Sequence, residues 1–374
     1  MFFKSVVTDA ETPEYHGYNT RISREQGHSV GPATKAIYLP LLDMTPAEPD
    51  TMYTAMVEAQ RLTNHTGQVY TIFTNDQQLY RVVVHVTWVY QHQFQNFIPR
   101  LGGMHTLMNF VGAVGVLMAD TGLETILQVD FGGVASMLSG KKYPQNIRAL
   151  RLLTEELLRG TIVHMNSHDS LMKVLDNKSQ ESRTTKLWVE NLIKPVMLMM
   201  MFVRAEREAD WPLHLFCVKE MLPYFFGDGH FNYARYCLYY LRSMEKLSGP
   251  VLQDFLQGKH VTRHQPGLWN AIWTDMFIES TFMRFGHSPG GIIGITLKPS
   301  TLKRWALSLH VCSHIVQDVS EMGNENHQVP VTVHKEEMPA RKKTDAADRE
   351  KLRETLITCI DPLNPDVSFI PTTC

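Results

Sequence analysis

Long leucine and methionine repeats, with charged residues interleaved, dominate the middle of this chain. They cover residues 144–160, 185–216, 213–224, 231–247, 269–285 and 299–317. Apolar residues at this spacing line one face of a helix, so the pattern predicts a predominantly helical molecule. Residues 196–202 are apolar on every side, and we expect that segment to be buried on several sides, with its methionines filling a core rather than binding a metal.

A strand–helix–strand pattern precedes the helical region. Residues 36–42 form a short apolar run, helical spacing follows from Asp50, and residues 69–74 are β-branched and aromatic up to Asn75 and Asp76. Three such elements within about 40 residues predict a βαβ unit with parallel strands. Functional carboxylates are common just beyond the carboxyl end of such a strand, which makes Asp76 a candidate site residue. The predicted fold class is therefore α/β with predominant helix.

Composition divides the chain into four predicted parts. Residues 1–34 are polar and broken by proline and glycine, which indicates an extended arm. Residues 35–110 would hold the βαβ core portion, and residues 111–322 a helical region packing on that core. Residues 323–374 are rich in charge and end in proline-broken sequence, which predicts a partly disordered tail with a solvated helix or mobile segment.

Charge and cysteine content narrow the function classes. The 374 residues carry a formal charge of −2, so DNA association would be weak and would need a local patch such as residues 341–343. Five widely spaced cysteines without a CxxC pair disfavour a disulfide framework or a cysteine-rich zinc site. No secretory signal is recognisable, which predicts an intracellular protein of the nucleus or cytoplasm.

Residues 101–119 are uncharged and nearly long enough to cross a bilayer. They include four glycines, His105 and Asn109, which are poor choices for a lone helix facing lipid. Small residues such as Gly112 and Gly115 let a neighbouring element approach closely. We therefore expect a buried helix and no membrane association.

Polar side chains in three segments are the candidates for chemistry. Asp275 and Glu279 are four residues apart and share a helical face, where two carboxylates could bind a divalent cation or act as acid and base. They could instead accept structural hydrogen bonds or pair with arginines such as Arg284 or Arg235. His105 follows a glycine pair and is either functional or bonded to backbone. Asp228 and His230 lie in a glycine-flanked turn before Arg235, where His230 could shuttle protons, bind metal or stabilise a helix entry.

A glycine-rich loop at residues 290–296 is a further candidate. Such a loop can cradle phosphate at a helix start, but this one lacks the Gly-Lys-Ser/Thr ending of a nucleotide-binding loop. The alternative is a flexible loop that connects two elements and binds no phosphate.

A set of short motifs in fixed order resembles a known family. In sequence order they are DQQLY (76–80), LGGMH (101–105), SGK (139–141), RAEREADW (204–211), MLPYF (221–225), HFNYAR (230–235), then Glu279 and the glycine pair 290–291. The order is similar to that of a large mobile-element-associated family of animal genomes, whose members resemble transposases with a ribonuclease-H-like core and a helical insertion. The similarity spans roughly residues 36–364.

This resemblance implies a two-metal site for Mg²⁺ or Mn²⁺, with carboxylates that activate water or a DNA 3′-hydroxyl. Asp76 would be a strand carboxylate and Glu279 the helix carboxylate, with Asp43 or Asp50 as the third acid. An Asp-Asn motif of the family has no counterpart upstream, which predicts a chain truncated at its N-terminus and catalytically incomplete.

Three function classes follow. The first is a transposon-derived, ribonuclease-H-like nuclease or transposase relative. The second is a non-catalytic protein- or DNA-interaction scaffold derived from one. The third is an unrelated cytosolic α/β enzyme using His105, Asp76 and Glu279 as acid–base groups. Metal binding would separate the first from the second, and the sequence leaves self-association into a homo-oligomer open.

Overall fold

The computed structural model describes residues 34–35, 42, 44–163, 170–263, 271–283, 298–308, 311, 339–358 and 362–363. The chain divides into two compact units. We call Gln26–Thr106 with Leu247–Val333 the sheet unit, and Met1–Glu25 with Leu107–Lys246 and His334–Cys374 the helical unit.

Helices make up most of the described residues, as predicted. In chain order the elements are α1 (Pro49–His65), β1 (Thr71–Asn75), α2 (Gln77–Val89), β2 (Phe97–Leu101), α3 (Gly103–Leu117), α4 (Leu123–Gln128), α5 (Val134–Leu138), α6 (Tyr143–Val163), α7 (Leu171–Glu181), α8 (Arg183–Trp188), a π-helical turn (Val189–Ile193), α9 (Lys194–Glu208), α10 (Trp211–Gly227), α11 (Phe231–Glu245), α12 (Gly249–Leu256), β3 (Thr262–Arg263), β4 (Ala271–Ile272), α13 (Thr274–Ile278), a second π-helical turn (Glu279–Met283), α14 (residues 299–308) and α15 (Pro339–Thr358).

The sheet unit contains a small parallel βαβ arrangement, which confirms the predicted fold class. Strands β1 and β2 pair in parallel, with Thr71 opposite Phe97 and Asn75 opposite Leu101, and α2 makes the crossover between them. Only β1 was among the predicted strands. The pattern missed β2 because Pro99 and Arg100 interrupt its apolar run, and the predicted strand at 36–42 lies outside the described residues apart from its last residue.

A compact apolar cluster holds α1 and α2 against this sheet. Its buried members come from both helices, from β2 and from the segment between α2 and β2: Met52, Met56, Val82, Val83, Val86, Phe94 and Phe97. Helix α2 begins where it does because the side chain of Asp76 caps it and accepts a hydrogen bond of 2.8 Å from the backbone N–H of Leu79. Local capping and apolar spacing therefore position the strand ends.

Later residues complete the sheet unit. The hydroxyl of Tyr70 donates to Asp254, and the buried guanidinium of Arg100 donates to the backbone carbonyl of His260. The prediction of one continuous helix over 269–285 was wrong at its start, since Ala271–Ile272 pair antiparallel with Thr262–Arg263. Ala271 is fully buried, and pairing with Thr262–Arg263 overrides its local helical pattern.

Helix α3 confirms the prediction that residues 101–119 contain a buried helix. Leu107, Phe110 and Val114 are essentially inaccessible. A β-carbon on Gly115 would lie 3.0 Å from the carbonyl carbon of Leu138, so this glycine permits a close approach. A β-carbon on Gly112 would make only an ordinary van der Waals contact, 3.6 Å from the carbonyl oxygen of Ser139. In the part of the chain that the structure describes, no helix is long and apolar enough to cross a membrane.

The helical unit is built on consecutive helices α9, α10 and α11. Pro195 lies at the start of α9, next to the π-helical turn that precedes it, and a proline there disturbs regular helical hydrogen bonding. Residues 196–202, which the sequence predicts to be apolar on every side, are buried on several sides, although Met201 is 37 % exposed. Ala209 ends α9 in the left-handed region, and the Asp210 carboxylate caps α10.

The charge-rich segment after residue 338 forms helix α15, which packs on α6 within the helical unit. The guanidinium groups of Arg148 and Arg151 lie 2.7 and 2.8 Å from the carboxylate of Asp345. Leu352 and Leu356 are buried on the packed face. The charges of this helix are therefore partly used in packing, in contrast to a fully solvated helix.

Candidate functional site

The carboxyl edge of the parallel sheet brings two helix starts together. Strand β1 ends at Asn75 and β2 at Leu101, and the backbone N–H of Gly102 donates to the carbonyl of Asn75 at 2.7 Å. Helix α2 begins directly after β1, and α3 directly after β2. Because helix N-termini present unpaired N–H groups and partial positive charge, this edge favours carboxylates.

The glycine pair before α3 allows the segment around α13 to approach. A β-carbon on Gly102 would lie 2.9 Å from the carboxyl carbon of Asp275, and one on Gly103 would lie 3.0 Å from Cγ of Trp273. Any larger residue would push these side chains away. Two segments about 170 residues apart in sequence therefore meet in the sheet unit. Both contain polar residues that the sequence analysis named as candidates.

Asp275 caps helix α3 and holds His105. Its carboxylate accepts hydrogen bonds from the backbone N–H of Met104 at 3.3 Å and of His105 at 3.1 Å. The ring Nδ1 of His105 lies 3.0 Å from the same carboxylate. The Asp275 side chain is only 8 % exposed, whereas that of His105 is 28 % exposed. A buried carboxylate thus orients a ring that is still accessible.

The two partners alter each other's pKa in opposite directions. The hydrogen bond between the His105 ring and the Asp275 carboxylate raises the pKa of His105. Partial burial opposes this shift but is the smaller effect. Burial alone would raise the pKa of Asp275. The bonds from the His105 ring and backbone, the His105 charge and the Met104 N–H outweigh burial, so that the pKa of Asp275 is lowered. Both shifts favour the ionised pair.

Asp76 and Glu279 belong to the surroundings of the same histidine. Their negative charges add to the effect of Asp275 in raising the pKa of His105. Asp76 is half-buried beside the end of β1, and Glu279 is exposed where the second π-helical turn begins. π-Helical turns are frequent at functional sites. Four residues singled out in the sequence therefore converge electrostatically on one position.

The described side chains at this edge of the sheet offer few ligands for a metal ion. Among the described residues, no group of three or more His, Cys, Asp or Glu side chains is arranged to hold a metal ion. The oxygens of Asp275 already accept three N–H groups. Asp76 and Glu279 are the carboxylates left for a cation, and Mg²⁺ is often bound through one or two carboxylates with the remaining positions filled by water.

The other predicted acids lie apart from this arrangement or outside the described residues. Asp43 and the glycine-rich loop at 290–296 belong to the latter. Asp50 is exposed in the first turn of α1, where its backbone carbonyl accepts from the Thr54 hydroxyl. No contact joins Asp50 to the His105 pair among the described residues.

Asp228, His230 and Arg235 lie in the helical unit. The Asp228 carboxylate accepts from the backbone N–H of His230 at 2.9 Å and also contacts its ring Nδ1. Helix α11 starts at the next residue, so the interpretation as a helix-entry turn agrees with the geometry. The Arg235 guanidinium lies over the Tyr236 ring, 4.9 Å from its centroid.

Sequence reasoning missed a second acid–histidine pair, which is buried in the helical unit. Nδ1 of His214 lies 3.0 Å from Glu206, and its Nε2 lies 3.0 Å from the Tyr240 hydroxyl. Trp211 stacks on the ring, with centroids 4.9 Å apart. No sequence signal marks His214, because a lone histidine within a helix looks the same whether it is buried or exposed.

Comparison with known families gives one match. A family model matches residues 14–178 and 163–371, nearly the whole chain, and its description is Domain of unknown function (DUF8702). The chain belongs to this family. No curated protein and no solved structure matches the chain. The description of DUF8702 names no reaction and no mobile element, so the expected relation to transposases stays a prediction.

Proposed function

We propose that the carboxyl edge of the sheet unit is a divalent-cation site related to those of ribonuclease-H-like nucleases, with Asp76 and Glu279 as ligands and with an incomplete catalytic set. The observation that carries this proposal is the concentration of negative charge around His105, where Asp275, Asp76 and Glu279 all act on one ring. Phosphodiester hydrolysis is the chemistry that such an edge would serve.

A cation is favoured because three described carboxylates, those of Asp275, Asp76 and Glu279, act on His105. Hard divalent ions such as Mg²⁺ and Mn²⁺ prefer carboxylate oxygens and retain water in the remaining positions. When bound, such an ion would supply Lewis acidity and a more acidic water. Asp76 at a strand end and Glu279 on a later helical turn match the strand and helix carboxylates that the sequence resemblance implies.

We expect an incomplete set of catalytic carboxylates because of the residues that follow β2. A two-metal site would place a further free carboxylate at or near a second strand end. Here that position has the glycine pair, and the nearby Asp275 carboxylate is committed to the α3 N-terminus and to His105. His105 can hold or release a proton there, but its protonated form competes with a cation. We therefore expect weak metal binding and no robust DNA cleavage.

Metal binding is the direct test. Mn²⁺ binding is measured by electron paramagnetic resonance for the parent chain, Asp76→Asn and Glu279→Gln, with Asp50→Asn as an exposed carboxylate control. We expect each site substitution to weaken binding about tenfold or more and the control to leave it unchanged. Binding that survives both site substitutions, or that falls equally with the control, would reject the site.

A cleavage assay tests the incomplete catalytic set separately. Labelled duplex DNA is incubated with the parent chain and Mg²⁺ or Mn²⁺, beside Asp76→Ala and Glu279→Ala. We expect no robust cleavage or strand transfer from any of the three. Clear cleavage by the parent that disappears in both variants would show a working nuclease and a complete set.

Metal-independent acid–base catalysis is the second candidate, favoured by the Asp275–His105 geometry. A buried carboxylate bonded to one ring nitrogen of an accessible histidine is the arrangement that orients a general base. Hydrolysis of p-nitrophenyl acetate and bis(p-nitrophenyl) phosphate in the presence of EDTA would test it. Turnover that is lost in His105→Ala and reduced in Asp275→Asn would favour this candidate over the cation site.

DNA association is proposed only as a weak, salt-sensitive property. Arg341, Lys342 and Lys343 are exposed in the first turns of α15. Attraction to phosphate through only three cations is weak, decreases as salt rises and discriminates little between DNA sequences. DNA binding that persists at high salt and is unchanged when all three are replaced by glutamine would contradict this assignment and would point to a dedicated interface elsewhere.

A further inference from the structure

A cavity in the helical unit lies among the ends of α6, α7 and α15. Its volume is about 430 Å³, and its lining includes residues 156–157 and 159–161 of α6, Lys178 of α7, and Arg353, Leu356 and Ile357 of α15. Small-molecule sites commonly fall between 300 and 1,000 Å³, so the cavity is large enough for a small organic ligand. None of the carboxylates around His105 lines it.

The charges in the cavity are unbalanced. Its lining contains three cations, Arg159, Lys178 and Arg353, against one carboxylate, Glu156. Arg353 is already committed, because its guanidinium lies 3.2 Å from Glu156 and 2.9 Å from Glu350. Within the described part of the chain, Arg159 and Lys178 have no ion pair. An anion entering the cavity would therefore meet two cations that lack a protein partner.

The remaining wall is apolar and partly open. Leu157, Leu356 and Leu363 are buried, and Ile357 is 74 % exposed at the rim. A β-carbon added to Gly160 would meet no atom within 4 Å, so the helix backbone borders open space at that position. Cations beside an apolar wall suit a ligand that has both an anionic head and a hydrocarbon body.

We infer that this cavity binds a small amphipathic organic anion, with its carboxylate or phosphate head on Arg159 and Lys178 and its apolar body against Leu356 and Leu363. The charge-assisted hydrogen bonds to the head provide selectivity for anions. The hydrocarbon body contributes affinity through burial of apolar surface. The site is independent of the proposed cation site, since it shares no residue with it.

Octanoate is the first probe, because it combines a carboxylate with a short hydrocarbon body. Binding to the full chain is measured by isothermal titration calorimetry, beside acetate, which keeps the head alone, and octylammonium, which keeps the body and reverses the charge. We expect saturable binding of octanoate only. Octyl phosphate in place of octanoate distinguishes a phosphate preference from a carboxylate preference.

Two kinds of variant locate the site. Replacing Arg159 and Lys178 together with glutamine should weaken octanoate binding by about tenfold or more, because two charge-assisted contacts are lost. Lys173→Gln is the matched control, since Lys173 is an exposed cation of α7 outside the cavity lining. Gly160→Leu should block binding by filling the cavity without removing a charge.

Circular dichroism and thermal unfolding of each variant show whether it is folded before binding is compared. The inference is overturned if octylammonium binds as well as octanoate, if the double glutamine variant binds as tightly as the parent, or if octanoate shows no saturable binding. Loss of binding in a folded Gly160→Leu variant, with Lys173→Gln unchanged, would support it.

Discussion

Two acid–histidine pairs in this molecule have similar chemistry but different surroundings. In the sheet unit, Asp275 lies 3.0 Å from Nδ1 of His105, and in the helical unit Glu206 lies 3.0 Å from Nδ1 of His214. The side chains of Glu206 and His214 are each 1 % exposed, whereas His105 is 28 % exposed. Equal distances therefore do not imply equal roles.

The buried pair is enclosed on several sides. The His214 ring stacks on Trp211, contacts Phe202 and lies 3.0 Å from the Tyr240 hydroxyl through its second nitrogen. A substrate or a cation could reach it only by opening the helix packing. The pair thus contributes to the arrangement of α9, α10 and α11, and it is a poor candidate for catalysis.

The accessible pair has a different environment. It lies at the carboxyl edge of two parallel strands, and the charges of Asp76 and Glu279 act on His105 in addition to Asp275. Accessibility and surrounding charge, rather than the acid–histidine contact itself, therefore make His105 the candidate functional residue. Five substitutions test this difference, from the largest expected effect to the smallest.

Glu206→Ala should have the largest effect on stability. It would leave His214 buried without its carboxylate and would open a cavity in the packing, which together should cost about 2–5 kcal/mol. Glu245→Ala is the control, because the exposed Glu245 pairs with the exposed Arg242 on α11 and should cost less than about 1 kcal/mol. Urea unfolding measures both. Equal losses of unfolding free energy would mean that the buried Glu206–His214 pair contributes no more to stability than an exposed pair does.

Asp275→Asn should lower the free energy of unfolding by about 1.5–3 kcal/mol, because charge-assisted bonds to His105 and to the α3 N-terminus are weakened. The loss should depend on pH. The raised pKa of His105 gives stability that is complete below 6.5 and fades as pH rises through its folded pKa. The lowered pKa of Asp275 gives stability that is complete above 3.8 and fades as pH falls through its folded pKa.

The difference in stability between the parent chain and Asp275→Asn should therefore be greatest between pH 3.8 and 6.5. Urea unfolding at a series of pH values measures it. A difference that is constant from acid to alkaline pH would show that the pair is not ionised in the folded protein.

Gly103→Ala should cost about 1–3 kcal/mol, since the added methyl would overlap the Trp273 ring and force a shift. Gly160→Ala is the matched comparison. Its methyl would meet no atom within 4 Å, and alanine favours the interior of a helix by about 1 kcal/mol over glycine. Thermal unfolding should thus separate the two substitutions in sign. A stabilising Gly103→Ala would show that Trp273 does not pack as described.

Asp76→Asn and Glu279→Gln should have the smallest effect on stability, within about 0.5 kcal/mol, because asparagine still caps a helix and Glu279 is exposed. Each should lower the pKa of His105 towards its ordinary value, since each removes a negative charge that acts on the ring. Titration by nuclear magnetic resonance in EDTA measures this. An unchanged His105 titration in both variants would remove these carboxylates from the site.

Much of the local structure was predictable from sequence. The apolar spacing indicated α6, α9, α10 and α11, and the strand that ends before Asp76 was expected. Strand β2 was not, because Pro99 and Arg100 break its pattern, and Ala271–Ile272 were assigned to a helix although they pair as a strand. These errors arise where strand pairing, with β1 for β2 and with Thr262–Arg263 for Ala271–Ile272, outweighs local preference.

The candidate site was predictable as residues but not as an arrangement. Asp76, His105, Asp275 and Glu279 were all singled out, yet the expected partners of Asp275 were arginines or unspecified donors. The glycine pair before His105 was noted only for its position next to that histidine. Its role in admitting Trp273 and Asp275 depends on a close approach between distant segments, which carries no local signal.

The sequence by itself determined that the central segments are helical, that a strand ends before Asp76, and that residues 103–117 would be buried. These properties depend on side chains within a few turns of one another, and so the spacing of apolar residues reports them directly. The tertiary structure alone decided that Asp275 would meet His105, 170 residues away, and that His214 would be enclosed. Such contacts depend on how whole elements pack, and the same residue types elsewhere in the chain would have been solvated.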